Sequence, residues 1–194
     1  MMVLLLSSEN LDDIVRRLLE TDPTKVESRL ISYTQLIALY FNNLSITKHS
    51  ENYIELSYEL DVDCSEGRKK LTNRYIEQKI TINVLKDPMG VKSWVKIRAP
   101  IIKIDKIKPE QRGKLFEDLL RANYKVHEFA FDICDDNYIG VTEDIYIPAL
   151  TFDVFVEEFN AVLRAISYFY DNIATKYDVE VECKEKGDIS QLYD

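Results

Sequence analysis

Tyr53-Ile-Glu-Leu-Ser-Tyr-Glu-Leu-Asp-Val62 alternates without a break: Ile54, Leu56, Tyr58, Leu60 and Val62 fall on one side, and Glu55, Ser57, Glu59 and Asp61 on the other. A period of two sends successive side chains to opposite faces of a strand, so this run predicts a half-buried β-strand. After a basic loop from Ser65 to Thr72, the stretch Arg74 to Lys86 repeats the pattern with Ile76, Ile80, Ile82 and Val84 inward. Asp87-Pro88-Met89-Gly90 then has proline and glycine where a tight turn uses them. The next strand, Val91 to Ala99, is expected to return as a hairpin with Val91, Val95, Ile97 and Ala99 inward. Pro100 suits a sheet edge or a strand end, because proline cannot donate to a ladder.

On either side of these strands the period changes to that of a helix. Upstream, Ser8 caps a short helix carrying Leu11, Ile14, Val15 and Leu18. Asp22-Pro23 opens a second helix whose stripe is Val26, Leu30, Tyr33, Ile37, Tyr40, Phe41 and Leu44. Downstream, Pro109 opens a helix reaching about Asn123, buried through Leu115, Phe116, Leu119 and Leu120. A second hairpin follows: Phe129, Phe131 and Ile133 alternate, Asp135-Asp136-Asn137 turns, and Tyr138 to Ile147 returns as far as Pro148. Thr151 caps the most strongly patterned helix, with Phe152, Phe155, Val156, Phe159, Val162, Leu163, Ile166, Phe169, Tyr170 and Ile173 on one face.

This order predicts an α+β fold in which an antiparallel sheet, three strands plus a two-stranded hairpin, is covered by helices. The expected layout is an N-terminal helical extension over 1–22, a single α+β domain over 23–176, and an acidic tail over 177–194. The 194 residues fit one folding unit, and 46% hydrophobic with 30% charged residues is a globular balance. The apolar start at Met1 to Leu6 is too short to span a bilayer and lacks a basic flank, so a cytoplasmic protein is expected. Cys64, Cys134 and Cys183 are odd in number and widely spaced, which predicts neither a disulfide framework nor a zinc pair.

Lys114-Leu-Phe-Glu-Asp-Leu-Leu-Arg-Ala-Asn-Tyr124, continued through Phe129 and Phe131 to Phe152–Tyr170, resembles the YbjN and type III secretion chaperone-like group. The likeness covers roughly residues 24 to 176 and lies in the order of elements and apolar positions. It implies a small acidic protein, usually dimeric, that holds another polypeptide and has no catalytic residues. The chain departs from the group in its extra N-terminal helix and its basic middle strands.

Charge is unevenly distributed. Residues 1–65 carry a net −6, residues 66–125 a net +9 and residues 126–194 a net −12, for −9 in all. Only His49 and His127 are available as imidazole bases, and neither lies in a hydrolase, zincin, Rossmann or P-loop motif, so no enzyme, cofactor or metal is expected. Asp132, Asp136 and Glu143 fall at positions one, five and twelve of a calcium-loop template. Cys134 and Asn137 occupy positions where that loop needs an oxygen ligand and a glycine, which favours an acidic hairpin turn.

The candidate partner-binding residues are Lys92, Trp94, Lys96 and Arg98, which share the outward face of one strand. Cations around an aromatic ring suit an anionic peptide or a stacked base. Cross-strand pairing with Glu55, Glu59, Asp61 and Glu77 is the structural alternative. The functional expectation is a non-enzymatic chaperone or adaptor for another polypeptide, working as a homodimer. The alternatives are a nucleic-acid-associated accessory protein using the basic strands, and an uncharacterised enzyme built on carboxylates.

Overall fold

The Asp87 side chain fixes the central hairpin. Its Oδ1 accepts from the backbone N–H groups of Met89 and Val91, each at 2.9 Å, while Gly90 takes a left-handed φ of 83° that a side chain would strain. In the computed structural model, described for residues 13, 16, 25–61, 65–66, 69–70, 74–126, 128–134, 136–177, 179 and 181–185, this turn joins β5 (Arg74–Lys86) to β6 (Lys92–Lys103). Pairing β5 with β6 sets Ile82 opposite Ile97 and Val84 opposite Val95.

Among the described residues, six further strands precede or follow this hairpin in the chain before the C-terminal segment: β1 (Leu44–Ser50), β2 (Tyr53–Asp61), the small pair β3 (Ser65–Glu66) and β4 (Lys69–Lys70), and β7 (Phe131–Ile133), which turns into β8 (Tyr138–Tyr146). The main sheet is antiparallel in the order β1-β2-β5-β6-β8-β7, with β9 (Lys184–Glu185) added to the start of β5. The second hairpin is therefore continuous with the first three strands, since β8 pairs along β6 from Tyr146 opposite Trp94 to Tyr138 opposite Lys103.

Three helices cover one face: α1 (Val26–Tyr40), α2 (Pro109–Lys125) and α3 (Phe152–Tyr168), the last widening into a π-type turn over Phe169–Ala174. Inward side chains from every long strand except the edge, among them Leu56, Ile80, Ile82, Val95, Ile97, Ile139 and Val141, are buried against Phe155, Phe159, Val162, Ile166 and Phe169. Full burial of side chains this size is worth about 1.5–3 kcal/mol each before conformational entropy is charged against it. Thr151 accepts from the N–H of Val154 at 3.2 Å as the N-cap of α3. Thr151→Ala should cost about 1 kcal/mol in a urea unfolding curve.

Several expectations are corrected. The helical stripe stops at Tyr40, which is exposed, because Phe41 becomes extended and the chain turns at Asn42 and Asn43 into the edge strand β1. Val91 points to solvent at 57% exposure, because it belongs to the turn and β6 starts one residue later. Ile133 is likewise exposed, at the end of β7. Pro100 lies in a central strand and not at an edge; there the β6–β8 register shifts between Pro100 and Ile102, and the bulge accommodates a residue without a donor. Cys183 is disulfide-bonded, with its partner outside the described residues, although cysteine spacing predicted no bridge. The proposed first helix and the Asp22-Pro23 cap also fall outside the described residues, apart from helical Asp13 and Arg16. Val179 is buried, and Lys184 and Glu185 pair with Tyr75 and Arg74.

Candidate functional site

The face opposite the helices is built from the outward residues of β2, β5, β6 and β8. Strand alternation fixes it: with Val95, Ile97 and Ala99 buried, Trp94, Lys96 and Arg98 must point the other way. Trp94, Lys96 and Arg98 thus lie on the uncovered side of the sheet, as their spacing predicts, but Lys92 does not: the β5–β6 register shifts between Leu85 and Lys86, which sets Lys92 opposite Lys86 in phase with Val84 and turns its side chain to the helix side.

Each cation among them is matched by an acid. The Lys92 ammonium is ion-paired with Glu27 of α1 and lies 3.6 Å from Glu51 in the β1–β2 turn. Lys96 faces Asp144 of β8 across the strand pair at 3.7 Å. Arg98 donates through Nη2 to Asp136 at 3.2 Å and through Nε to the Cys134 sulfur at 3.0 Å. Further across the face, Glu55 is held by Lys79 and by Lys48 at 3.4 Å, and accepts from the Tyr53 hydroxyl and from Thr47 at 3.3 Å. Hydrogen bonds from Lys79 and Tyr53 hold the Glu55 carboxyl down at about 2, overcoming the opposing effect of burial. The acids that neutralise β6 come from β8 and its turn, from α1 and from the β1–β2 turn. Glu55 and Glu77 serve Lys79, Lys48 and Lys184 instead.

What the ion pairs leave uncovered is apolar. Leu85, Trp94 and Tyr146 are cross-strand neighbours on β5, β6 and β8, forming one rung across the three central strands. They remain 38%, 44% and 50% exposed. The Trp94 and Tyr146 rings lie 5.3 Å apart between centroids, tilted by 50°, within the range of favourable aromatic pairing. Sequence reasoning found Trp94 but missed Leu85 and Tyr146, because the rung exists only once β8 is known to pair with β6.

The calcium-template residues diverge. Asp132 accepts from the Thr142 hydroxyl at 2.6 Å, Asp136 is bound to Arg98, and Glu143 turns to the helix side of the sheet. There the Glu143 carboxyl donates to Glu158 of α3; burial first, and then the Glu158 charge, push Glu143 up to about 7 despite the N–H that Ala130 donates to it. Burial also raises Glu158. Among the described residues, no group of three or more His, Cys, Asp or Glu side chains is arranged to hold a metal ion. His49 is exposed, and His127 lies outside the described residues. No described helix is long and apolar enough to cross a membrane.

No family model matches the chain. No curated protein matches it either. Among solved structures, it is similar to the ExsC-ExsE complex, at 11% identity and a TM-score of 0.44, over 77% of this chain and 96% of that one. It is also similar to an uncharacterized protein from Methanothermobacter thermautotrophicus, at 14% identity and a TM-score of 0.41, over 75% of this chain and 99% of that one.

Proposed function

We propose that this chain is a non-enzymatic protein-binding module, a chaperone or adaptor that holds another polypeptide against the uncovered face of its sheet. The observation that carries the reading is the Leu85–Trp94–Tyr146 rung: large apolar side chains left in water across the three central strands, near the Asp87–Gly90 turn, where the other side of the sheet buries Val84, Val95 and Ile145. Tryptophan and tyrosine are the side chains that most often dominate binding energy at protein interfaces, because they bury much area at little entropic cost. Binding to phosphates would instead call on cations open to a ligand, and Lys92, Lys96 and Arg98 are engaged with Glu27, Glu51, Asp144 and Asp136.

The test is capture by the full chain and by a Trp94→Ala/Tyr146→Ala variant. Both side chains are half in solvent, so the fold and its circular dichroism should be unchanged. Loss of about 2 kcal/mol or more of interface energy is expected to weaken capture of the cellular partner by at least about thirtyfold. Undiminished capture by the folded variant rejects the reading.

A further inference from the structure

The charge map around the rung goes further and describes the chemistry of the bound segment; it rests on the reading of the uncovered face as the binding surface. On this face Lys96 answers Asp144, Arg98 answers Asp136, Lys48 and Lys79 answer Glu55, and Lys184 answers Glu77, while strand register also places Glu59, Asp61, Asp132 and Lys103 here. Counted by formal charge, these are six cations and seven acids among the described residues. The middle of the chain has an excess of positive charge in sequence, yet its uncovered face comes within one charge of neutral once folded, because acids from the two flanking segments of the chain are brought onto it.

Five of the eleven large apolar side chains exposed among the described residues gather at this end of the sheet: Leu85, Trp94 and Tyr146 in the rung, with Met89 and Val91 in the adjoining turn. Strands stand about 4.8 Å apart, so the rung spans about 10 Å, which matches the diameter of one helix or the width of one extended segment. A charged segment laid there would lose its water against apolar carbon, and the charges next to the rung on β6 and β8, Lys96 and Asp144, are already paired with each other. An apolar one loses nothing of that kind. We infer that the segment seated on the Leu85–Trp94–Tyr146 rung is an uncharged, aliphatic-rich stretch of another polypeptide, recognised by its apolar side chains and not by its charge.

Trp94 is the chain's single tryptophan, so its emission reports occupancy of the rung directly. The full chain is titrated with end-blocked peptides of equal length, one rich in leucine and valine with serine for solubility, one in which glutamate replaces the aliphatic residues, and with oligothymidylate. The aliphatic peptide is expected to shift Trp94 emission to the blue, at least about tenfold more tightly than either anion. Its affinity should change less than about twofold between roughly 50 and 500 mM salt, since no counterions are released. Tighter binding of the acidic peptide or the oligonucleotide, or a steep loss with salt, overturns the inference. So does the absence of any shift with the aliphatic peptide, or a shift that follows protein concentration alone, which would give the rung to a second copy of the chain. These failures differ from that of the parent reading, which shows as full partner capture by Trp94→Ala/Tyr146→Ala.

Discussion

Alanine at position 140 should lower the unfolding free energy by about 3 kcal/mol, a shift of roughly two orders of magnitude in the unfolding constant. A Cβ built on Gly140 would lie 2.8 Å from the Ala99 carbonyl oxygen, 3.2 Å from the Cys134 sulfur and 3.3 Å from Asp132 Oδ1. The first of these is backbone in the middle of β6 and cannot swing aside as the end of a long side chain would. Gly140 faces Pro100 just where the β6–β8 register shifts, and β5 has ceased to pair with β6 after Thr81 opposite Arg98. The buried Gln78 amide restores part of the lost bonding by donating to the Pro100 carbonyl at 2.6 Å, and its own oxygen accepts from the Tyr170 hydroxyl at 3.3 Å. The bend therefore has support from β5 and from the helix layer, which leaves little room to relax around an added methyl group. Urea unfolding of Gly140→Ala checks this; a loss under about 0.5 kcal/mol would mean that the bulge yields.

This bend also marks where the sequence stops being legible. Strands β2, β5 and β6, the Asp87–Gly90 turn, the Pro109 helix start and the Thr151 cap are all read from local pattern, since the physics that makes them acts within a few residues. Strand β1 is not: Leu44-Ser-Ile-Thr-Lys-His-Ser50 lies on an edge, where only Leu44 is buried, so no alternation is imposed on it. Asn42-Asn43 was the available signal. The Asn43 side-chain amide donates to the Glu59 carbonyl at 2.8 Å and its backbone carbonyl accepts from the Glu59 N–H, a contact that continues the β1–β2 ladder one residue beyond Leu44. Pro100 was misplaced because a proline inside a sheet is tolerated only with a bulge, and bulges are set by the neighbouring strand. The candidate site was half legible for the same reason. Alternation gave Trp94, Lys96 and Arg98 their face, while their partners Tyr146, Asp144 and Asp136 came from a strand some forty to fifty residues on.

The Glu143–Glu158 pair makes stability fall as pH rises, and Glu143→Gln should remove the part of that fall that Glu143 carries. Glu143 ordinarily titrates at 4.5 and in the folded chain is pushed up to about 7. Between those two values the native state holds a proton that the unfolded chain has released, so the slope of stability against pH is negative across that window. Below about 4.5 the group contributes no loss; above about 7 the loss is complete. Glu143 faces Glu158 on α3, with Asp144 beside it on β8 and Glu157 beside Glu158, and all of these charges act in the same direction. The full shift would be worth roughly 3 kcal/mol, and screening by water around a half-buried pair reduces it to the order of 2 kcal/mol. Glu55 works the other way. Held at about 2, it stabilises the fold above its ordinary 4.5 and gives that stability up as pH falls toward 2. The two carboxyls together place the stability maximum near pH 4.5, where the windows in which each is lost meet. Glutamine at 143 still donates to the Glu158 carboxylate but cannot ionise, so the variant should match the parent near pH 4 and exceed it by about 2 kcal/mol near pH 8. Urea midpoints at the two pH values decide the matter: parallel profiles for parent and variant would show that the proton held between β8 and α3 has no part in the pH response.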